Sequence, residues 1–519
     1  MMEKGASLGA NINNKKMEHT MNLKSINCAE SGKPMTPYWK QMVCGDRAGL
    51  ALRADYRECL RTAVRECGFQ NLRQHGMFHD DMFVWHKKDG PFNFQYLFSN
   101  YDYYLSLGLR PLVELSFLPT WMASNDNRIF AVNCAGCPPN DFNDWHRMVN
   151  TTVKALVARY GLDEVRSWNF EPWNEPDIIF WKGTQDEYFE LYKRSVDAVK
   201  SVDASLRIGG PATSNFVPDQ EGNFRPKWVE DFISYCQRES LPVDFISTHP
   251  YPTDFPFDNA TGTHRRVVRG RDATFHDLTL LRQIVDNGPF PQAAIHCNEW
   301  GSSPSPRDCC HDHLFSGTFL LENLLRCEGL VDSLARWVFC DVSEEAPPGG
   351  AEFHGGWGLL TVHGIRKPSF HAYAFLNRVG ESCLHNGDGC AVFRSARGWQ
   401  VLLFNHHHYA NSEASWETHA GAEKMIGDGS ARTFDLVLEG LPQRVRATRS
   451  LVDREHGWAL PAWQEMGSPD WPTANQLERL HQAATPKVEA KVELTSEGRL
   501  PLNETLPPLA MMLLEIEPV

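Results

Sequence analysis

Two glutamates in this chain stand where a folded protein could use them for acid–base and nucleophilic chemistry. The segment Trp168–Asp177 runs Trp-Asn-Phe-Glu-Pro-Trp-Asn-Glu-Pro-Asp. Trp168, Phe170 and Pro172 alternate with Asn169 and Glu171, the pattern of a strand. Pro176 removes a backbone donor just after Asn174-Glu175 and turns the chain out into a loop. A second segment, Ala294–Gly301, runs Ala-Ile-His-Cys-Asn-Glu-Trp-Gly, an apolar strand that ends in Glu299. Carboxylates at the carboxyl ends of parallel barrel strands lie where such barrels build active sites. Held about 5–5.5 Å apart across a glycosidic bond, two of them hydrolyse it with retention, one as nucleophile and one as acid, then base. Their environments must keep one protonated near neutrality and the other ionised. Either glutamate alone would as readily be a capping or ion-pairing carboxylate. Both together, at candidate fourth and seventh strands, point to chemistry.

The elements that would position them alternate along the chain. Short apolar runs at Gln70–Arg73, Arg110–Leu115, Arg166–Glu171, Leu206–Gly209, Val243–Thr248, Ala294–Glu299 and Leu334–Phe339 predict strands separated by helical patterns. That alternation implies βα units around a parallel sheet, with a first strand near Lys40–Cys44. Thr184 with Glu187 makes a capping-box pattern, and Tyr188, Leu191, Tyr192, Val196 and Val199 follow on one helical face. The expected fold is a (β/α)8 TIM barrel over residues 36–378. After residue 379 the texture changes. Strand-like runs at Ala391–Arg394, Trp399–Asn405, Thr433–Leu438, Val445–Leu451, Val488–Leu494 and Ala510–Glu517 predict an antiparallel β-sandwich over 379–519, interrupted by a helical stretch at Thr473–Ala484. Residues 1–35 are polar and aperiodic, which predicts a partly disordered extension.

The totals narrow the function classes. A chain of 519 residues exceeds one ordinary domain, and a net charge of -14 argues against nucleic acid or anionic membrane as the main partner. No 18-residue apolar run is present, and residues 1–35 have no apolar signal core. Fourteen irregularly placed cysteines then suit reduced thiols in the cytoplasm. Cys134 and Cys137 form a lone CxxC without a second ligand pair, so no metal is expected, and the chemistry needs no cofactor. The triplet His406–His408 predicts a solvated strand end.

The pairing of Asn174-Glu175-Pro176 with Glu299 resembles the retaining barrel glycosidases that carry their two carboxylates on strands four and seven. More narrowly, the chain is similar to family 39 of the glycoside hydrolases, the β-xylosidases and α-L-iduronidases, and above all to its bacterial β-xylosidase branch. The resemblance rests on segments 71–76 (Asn-Leu-Arg-Gln-His-Gly), 170–176, 180–185, 209–213, 248–252 (Thr-His-Pro-Tyr-Pro), 337–345, 353–365 and 467–470. It implies that Asn174 hydrogen-bonds the sugar 2-hydroxyl, that His249 and Tyr251 sit by the nucleophile with Tyr251 holding its carboxylate, and that Arg73 favours its ionised form. It further implies that His75 with Glu344 or Glu345 reads the 3- and 4-hydroxyls, and that Trp337 is a stacking floor. Arg73 could equally be a buried structural ion-pair partner.

The expected activity is release of xylose from short xylo-oligosaccharides by double displacement. Alternatives are a β-galactosidase, a β-glucosidase or an α-L-iduronidase, or a non-catalytic carbohydrate-binding protein on the same fold. A metal-dependent barrel enzyme lacks a clustered ligand set. Iduronate would need cations for its carboxylate, with Lys182 and Arg307 the nearby candidates. Family relatives are often homo-oligomers, though no patch in the sequence specifies one. Four departures from the family pattern bear on sugar preference: Asn298 where a Thr usually precedes the nucleophile, Pro304 where a Tyr is usual, Asp177 for Asn, and Pro172 for a β-branched residue.

Overall fold

The computed structural model describes residues 24–215, 227–411 apart from 255–256, 259–262 and 265–266, and 414–519. Eight barrel strands follow one another: β1 Val43–Arg47, β2 Asn71–His75, β3 Arg110–Leu115, β4 Asn169–Pro172, β5 in two pieces at Arg207–Ile208 and Gly210–Thr213, β6 Phe245–Thr248, β7 Ala294–Trp300 and β8 Ser333–Arg336. All pair in parallel, β8 returns to β1, and the two pieces of β5 reach β4 and β6 respectively, which closes the ring. The break in β5 falls at Gly209, where a Cβ would stand 2.2 Å from the Phe245 carbonyl oxygen, so only glycine fits.

A helix follows each strand: α1 Ala54–Cys67, α2 Gln95–Ser106, α3 Phe142–Tyr160, α4 Gln185–Lys200, α5 Trp228–Glu239, α6 Ala273–Asp286, α7 Leu314–Arg326 and α8 Pro368–Arg378. The expected capping box of α4 is present. Thr184 accepts from the Glu187 amide, and Glu187 accepts from the Thr184 amide at 2.7 Å. The same helix steadies the ends of β4 and β5, because the Tyr188 hydroxyl donates to the carbonyls of Pro172 (3.3 Å) and Pro211 (3.1 Å).

The expected strands are found, with shifted ends. The first begins at Val43 rather than Lys40, and the last stops at Arg336, leaving Trp337 on the loop that follows. Beyond the barrel a seven-stranded sheet carries the order Lys33–Pro34, Ser382–Gly387, Cys390–Ser395, Gly398–Phe404, Met511–Pro518, Arg444–Val452, Lys487–Leu494. A three-stranded sheet of Lys24–Asn27, Arg432–Glu439 and Leu500–Leu506 faces it across a core that includes Val401, Leu436, Leu438, Leu502 and Leu514.

Residues 24–35 are therefore not an extension. Lys24–Asn27 pairs in parallel with Leu436–Glu439, and Lys33–Pro34 pairs with Ser382–Cys383, because Ile26 and Cys28 bury themselves in the sandwich core. The remainder of the expected extension, 1–23, lies outside the described residues. His406 also departs from expectation: it is buried against Phe315, with Nδ1 3.0 Å from the Thr318 hydroxyl. Among the described residues no helix is long and apolar enough to cross a membrane.

Candidate active site

The loop after β4 is forced into shape. Trp173 and Glu175 both take left-handed backbone angles, φ 72° and 44°, a conformation costing on the order of 1–3 kcal/mol for each non-glycine residue. Anchors hold it there. The Trp173 amide donates to Leu115 O (3.1 Å), its indole to Phe180 O (3.0 Å), and the Glu175 amide to Ala212 O (2.8 Å). Asp177, one of the departures from the family pattern, accepts from both the amide and hydroxyl of Ser214 at 2.8 Å, tying this loop to the one after β5.

Across the barrel mouth, β7 delivers Glu299 beside Asn298. Glu175 and Glu299 are each 7% exposed. Carboxylate oxygens of the two, and a ring nitrogen of His249, lie within 4.8 Å of one another. Oxygens this close suit the retaining arrangement rather than an inverting pair, whose carboxyl groups stand roughly 6.5–9.5 Å apart to admit a water. His249 Nδ1 stands 2.8 Å from Glu175 and 3.3 Å from Glu299, so it serves the acid/base candidate at least as closely as the nucleophile candidate. The Tyr251 hydroxyl donates to Glu299 Oε1 at 3.0 Å.

Burial pushes the Glu299 carboxyl up to about 7; His249 opposes this and Glu175 adds to it. Two carboxylates this close cannot both ionise cheaply, so the pair holds a proton near neutrality. The donors decide where the charge sits. Tyr251 and the Arg73 guanidinium both face Glu299, the first at 3.0 Å and the second at 3.6 Å, and both favour negative charge there. Burial lowers the His249 imidazole to about 4, so it is neutral and can share that proton. Glu175, His249 and Glu299 also have the spacing a cation would accept.

Arg73 does less for Glu299 than expected and more for the frame. Its Nε donates to Glu171 (2.7 Å) and its Nη2 to Asn174 Oδ1 and Glu114 (2.8 Å each), while Nη1 stays 3.6 Å from Glu299. With its oxygen so held, the Asn174 amide keeps its N–H groups for a ligand. Glu171 also accepts from Asn298 at 2.5 Å, which joins β2, β4 and β7 beneath the carboxylate pair. Sequence reasoning passed over Glu114 and Glu171. The available signal was an acid inside an otherwise apolar strand run, which folding tolerates only with a buried partner.

The structure separates the two glutamates after β8. Glu345 meets His75 Nε2 at 3.0 Å, whereas Glu344 is bound by Arg47, which also pairs with Asp81 at 2.5 Å. Burial opposes charge on His75, but Glu114 and Glu345 outweigh it and hold the imidazole well above its ordinary range. Burial raises Glu345 to about 7. Trp337 packs against His75 (ring centroids 4.7 Å apart) and is 1% exposed, so it closes the floor from below. A cavity of about 650 Å³ opens at the other end of the barrel, where Asn71, Arg110, Asn169 and Ala294 begin their strands, and no member of the carboxylate pair lines it.

Comparison with known proteins agrees with this geometry. Residues 22–501 match the model of the glycosyl hydrolases family 39. A β-xylosidase of Geobacillus stearothermophilus is 32% identical over 514 residues, 96% of each chain. One from Caldicellulosiruptor saccharolyticus is 30% identical over 493 residues, 92% of this chain and 94% of the relative. The crystal structure of a monomeric β-xylosidase from Caulobacter crescentus superposes with a TM-score of 0.87 at 30% identity, covering 95% of this chain and 99% of that one. With its barrel, its carboxylate pair after β4 and on β7 and its match over residues 22–501, this chain belongs to family 39 of the glycosyl hydrolases and is a glycoside hydrolase.

Proposed function

We propose that this enzyme is a retaining exo-β-xylosidase acting on short xylo-oligosaccharides, with Glu299 as nucleophile and Glu175 as acid/base. The observation that carries this reading is the buried Glu175–Glu299 pair, with oxygens within 4.8 Å. In the first step a Glu299 carboxylate oxygen attacks the anomeric carbon while the Glu175 carboxyl gives its proton to the departing glycosidic oxygen. In the second, Glu175 takes a proton from water, the water oxygen bonds to the anomeric carbon, and the Glu299 ester bond breaks, which restores both groups. On this reading Asn174 binds the 2-hydroxyl, and His75 with Glu345 binds the 3- and 4-hydroxyls above Trp337.

The xylose preference is supported by the two β-xylosidase relatives at 30% identity or more. Arg307, a candidate cation for a uronate carboxylate, instead donates to the main-chain carbonyls of Pro306 and Pro347. A cytoplasmic site of action is supported by the fourteen cysteines, none of which forms a disulfide among the described residues and thirteen of which are buried.

Azide distinguishes the two roles. Glu175→Ala should keep its first-step rate on activated aryl xylosides, because a phenolate leaves without protonation, and azide should restore turnover and give a xylosyl azide of retained configuration. Glu299→Ala should be inactive by roughly 10⁴-fold or more on every substrate, with azide yielding the inverted product. A chelator should change neither wild-type rate. Exchanged behaviours would reverse the roles, and chelator-sensitive activity would make the three-residue cluster a metal site.

A further inference from the structure

The strand Lys487–Leu494 is the last of the seven-stranded sheet, paired on one side with Arg444–Val452 and, among the described residues, with nothing on the other. Such an edge presents a row of unmatched backbone donors and acceptors. It is exposed on both faces along nearly its whole length. Val488, Ala490 and Val492 lie opposite Ser450, Thr448 and Arg446, whereas Lys491 and Glu493 lie opposite the buried Ala447 and Val445. Opposite residues share a face, so Val488, Ala490 and Val492 line one face of the strand and the charged residues the other, where Glu489 and Lys491 are also largely exposed. Val488 is 61% exposed, Val492 49% and Leu494 74%.

The segment is its own complement. Residues 487–493 run Lys-Val-Glu-Ala-Lys-Val-Glu. Laid antiparallel on a second copy with Ala490 opposite Ala490, Lys487 meets Glu493, Glu489 meets Lys491, and Val488 meets Val492. Every charged pair is of opposite sign, and every apolar pair is valine on valine or alanine on alanine. A shift by two residues in either direction puts Glu489 or Lys491 opposite itself. A slip by one sets charges against valines, and a parallel pairing in register sets like on like. Charges on an edge strand ordinarily discourage pairing; here they discourage each of these alternatives and admit one register. Within a single chain Lys487 reaches Glu489 and Lys491 reaches Glu493, both at 2.9 Å. The pairing adds a second opposite charge across the strands.

We propose that this edge is an interface between two copies of this chain, related by a two-fold axis through Ala490 that continues the two seven-stranded sheets into one. An isologous contact of this kind closes at the dimer. A single strand edge is small against the roughly 1,200–2,000 Å² of a stable interface, so the dimer should form and dissociate with concentration.

Sedimentation velocity of the full-length protein across the micromolar to hundred-micromolar range tests this. The wild type should shift from monomer to dimer. Lys491→Glu, which sets glutamate opposite glutamate at two positions, should weaken association by about tenfold or more. Adding Glu489→Lys to Lys491→Glu restores opposite charges at both positions and should restore the dimer. Equal turnover of an aryl xyloside by all three proteins serves as the control for folding. A wild type that stays monomeric at every concentration overturns the proposal, as does a dimer indifferent to Lys491→Glu or a double variant that fails to recover.

Discussion

Lys367 and Arg73 are both fully buried cations set between carboxylates, and they differ in how completely they are matched. Lys367, at the seam where the barrel meets the β-sheets, sits 2.6 Å from Asp312, 2.6 Å from Asp341 and 3.0 Å from the Gly356 carbonyl. The remaining oxygens of the two aspartates accept from the Gly355 and Gly358 amides at 2.7 Å each, and Trp458 donates to the Asp312 carbonyl at 2.8 Å. Around Arg73 the matching stops short. Arg73 Nη1 reaches only Glu299 Oε2, at 3.6 Å, that oxygen lies 3.3 Å from His249 Nδ1, and His249 Nε2 is buried without a hydrogen-bond partner among the described residues. Buried polar groups are nearly always paired closely, so long contacts clustered at a barrel mouth leave valences open to a ligand. The first network is finished by the protein itself; the second is left slack at the barrel mouth.

The sharpest way to break this contrast is to remove each cation in turn. Arg73→Met should lower kcat/KM by about a hundred- to thousandfold. It frees Asn174 and Glu171 and takes positive charge from beside Glu299. The loss should fall mainly on kcat and persist in protein whose far-ultraviolet spectrum is native. A variant that folds and keeps wild-type kcat would demote Arg73 to structural support.

Lys367→Met should do the opposite. Two buried aspartates lose their counter-charge, which costs about 3–5 kcal/mol of stability. Calorimetry should show a clearly lower thermal midpoint, while kcat/KM measured well below it stays within about twofold of wild type, as expected for a change in stability alone. If kcat fell with Lys367 as it does with Arg73, the two networks would be one.

The contrast also explains what could be read from the sequence. Glu175 and Glu299 were legible because each ends a strand pattern and precedes a chain-turning residue, Pro176 or Gly301. Thr184 with Glu187 was legible because a capping box is a local device, complete within four residues. The frame beneath the site was not, since Glu114, Glu171 and Arg73 come from three strands and their matching exists only once the barrel closes. Glu344 and Glu345 could not be separated without the position of Arg47. In the second domain, Leu500–Leu506 was hidden by Pro501, which an edge strand tolerates, and Lys24–Asn27 by its short, polar sequence.

The smallest predicted effect concerns the half-finished network itself, where function is bought with stability. Glu345 has a carboxyl raised by burial to about 7 in the folded chain, against about 4.3 when unfolded. The folded state therefore prefers the protonated form, and stability should fall as pH rises from about 4 through about 7. Glu345→Gln keeps a neutral, hydrogen-bonding side chain beside His75 but cannot ionise. It should match the wild type near pH 4–5 and exceed it by on the order of 1–3 kcal/mol at pH 8, seen as a flatter dependence of thermal midpoint on pH. His75 keeps its charge through Glu114, 3.0 Å away on the other side of the ring. Binding should suffer where stability gains, with KM for aryl xylosides rising by about tenfold, the cost of one weakened charged hydrogen bond to a sugar hydroxyl. A variant less stable than wild type at pH 8 would show that the ionised Glu345 is fully matched by His75. The barrel mouth would then be as complete without substrate as the seam around Lys367.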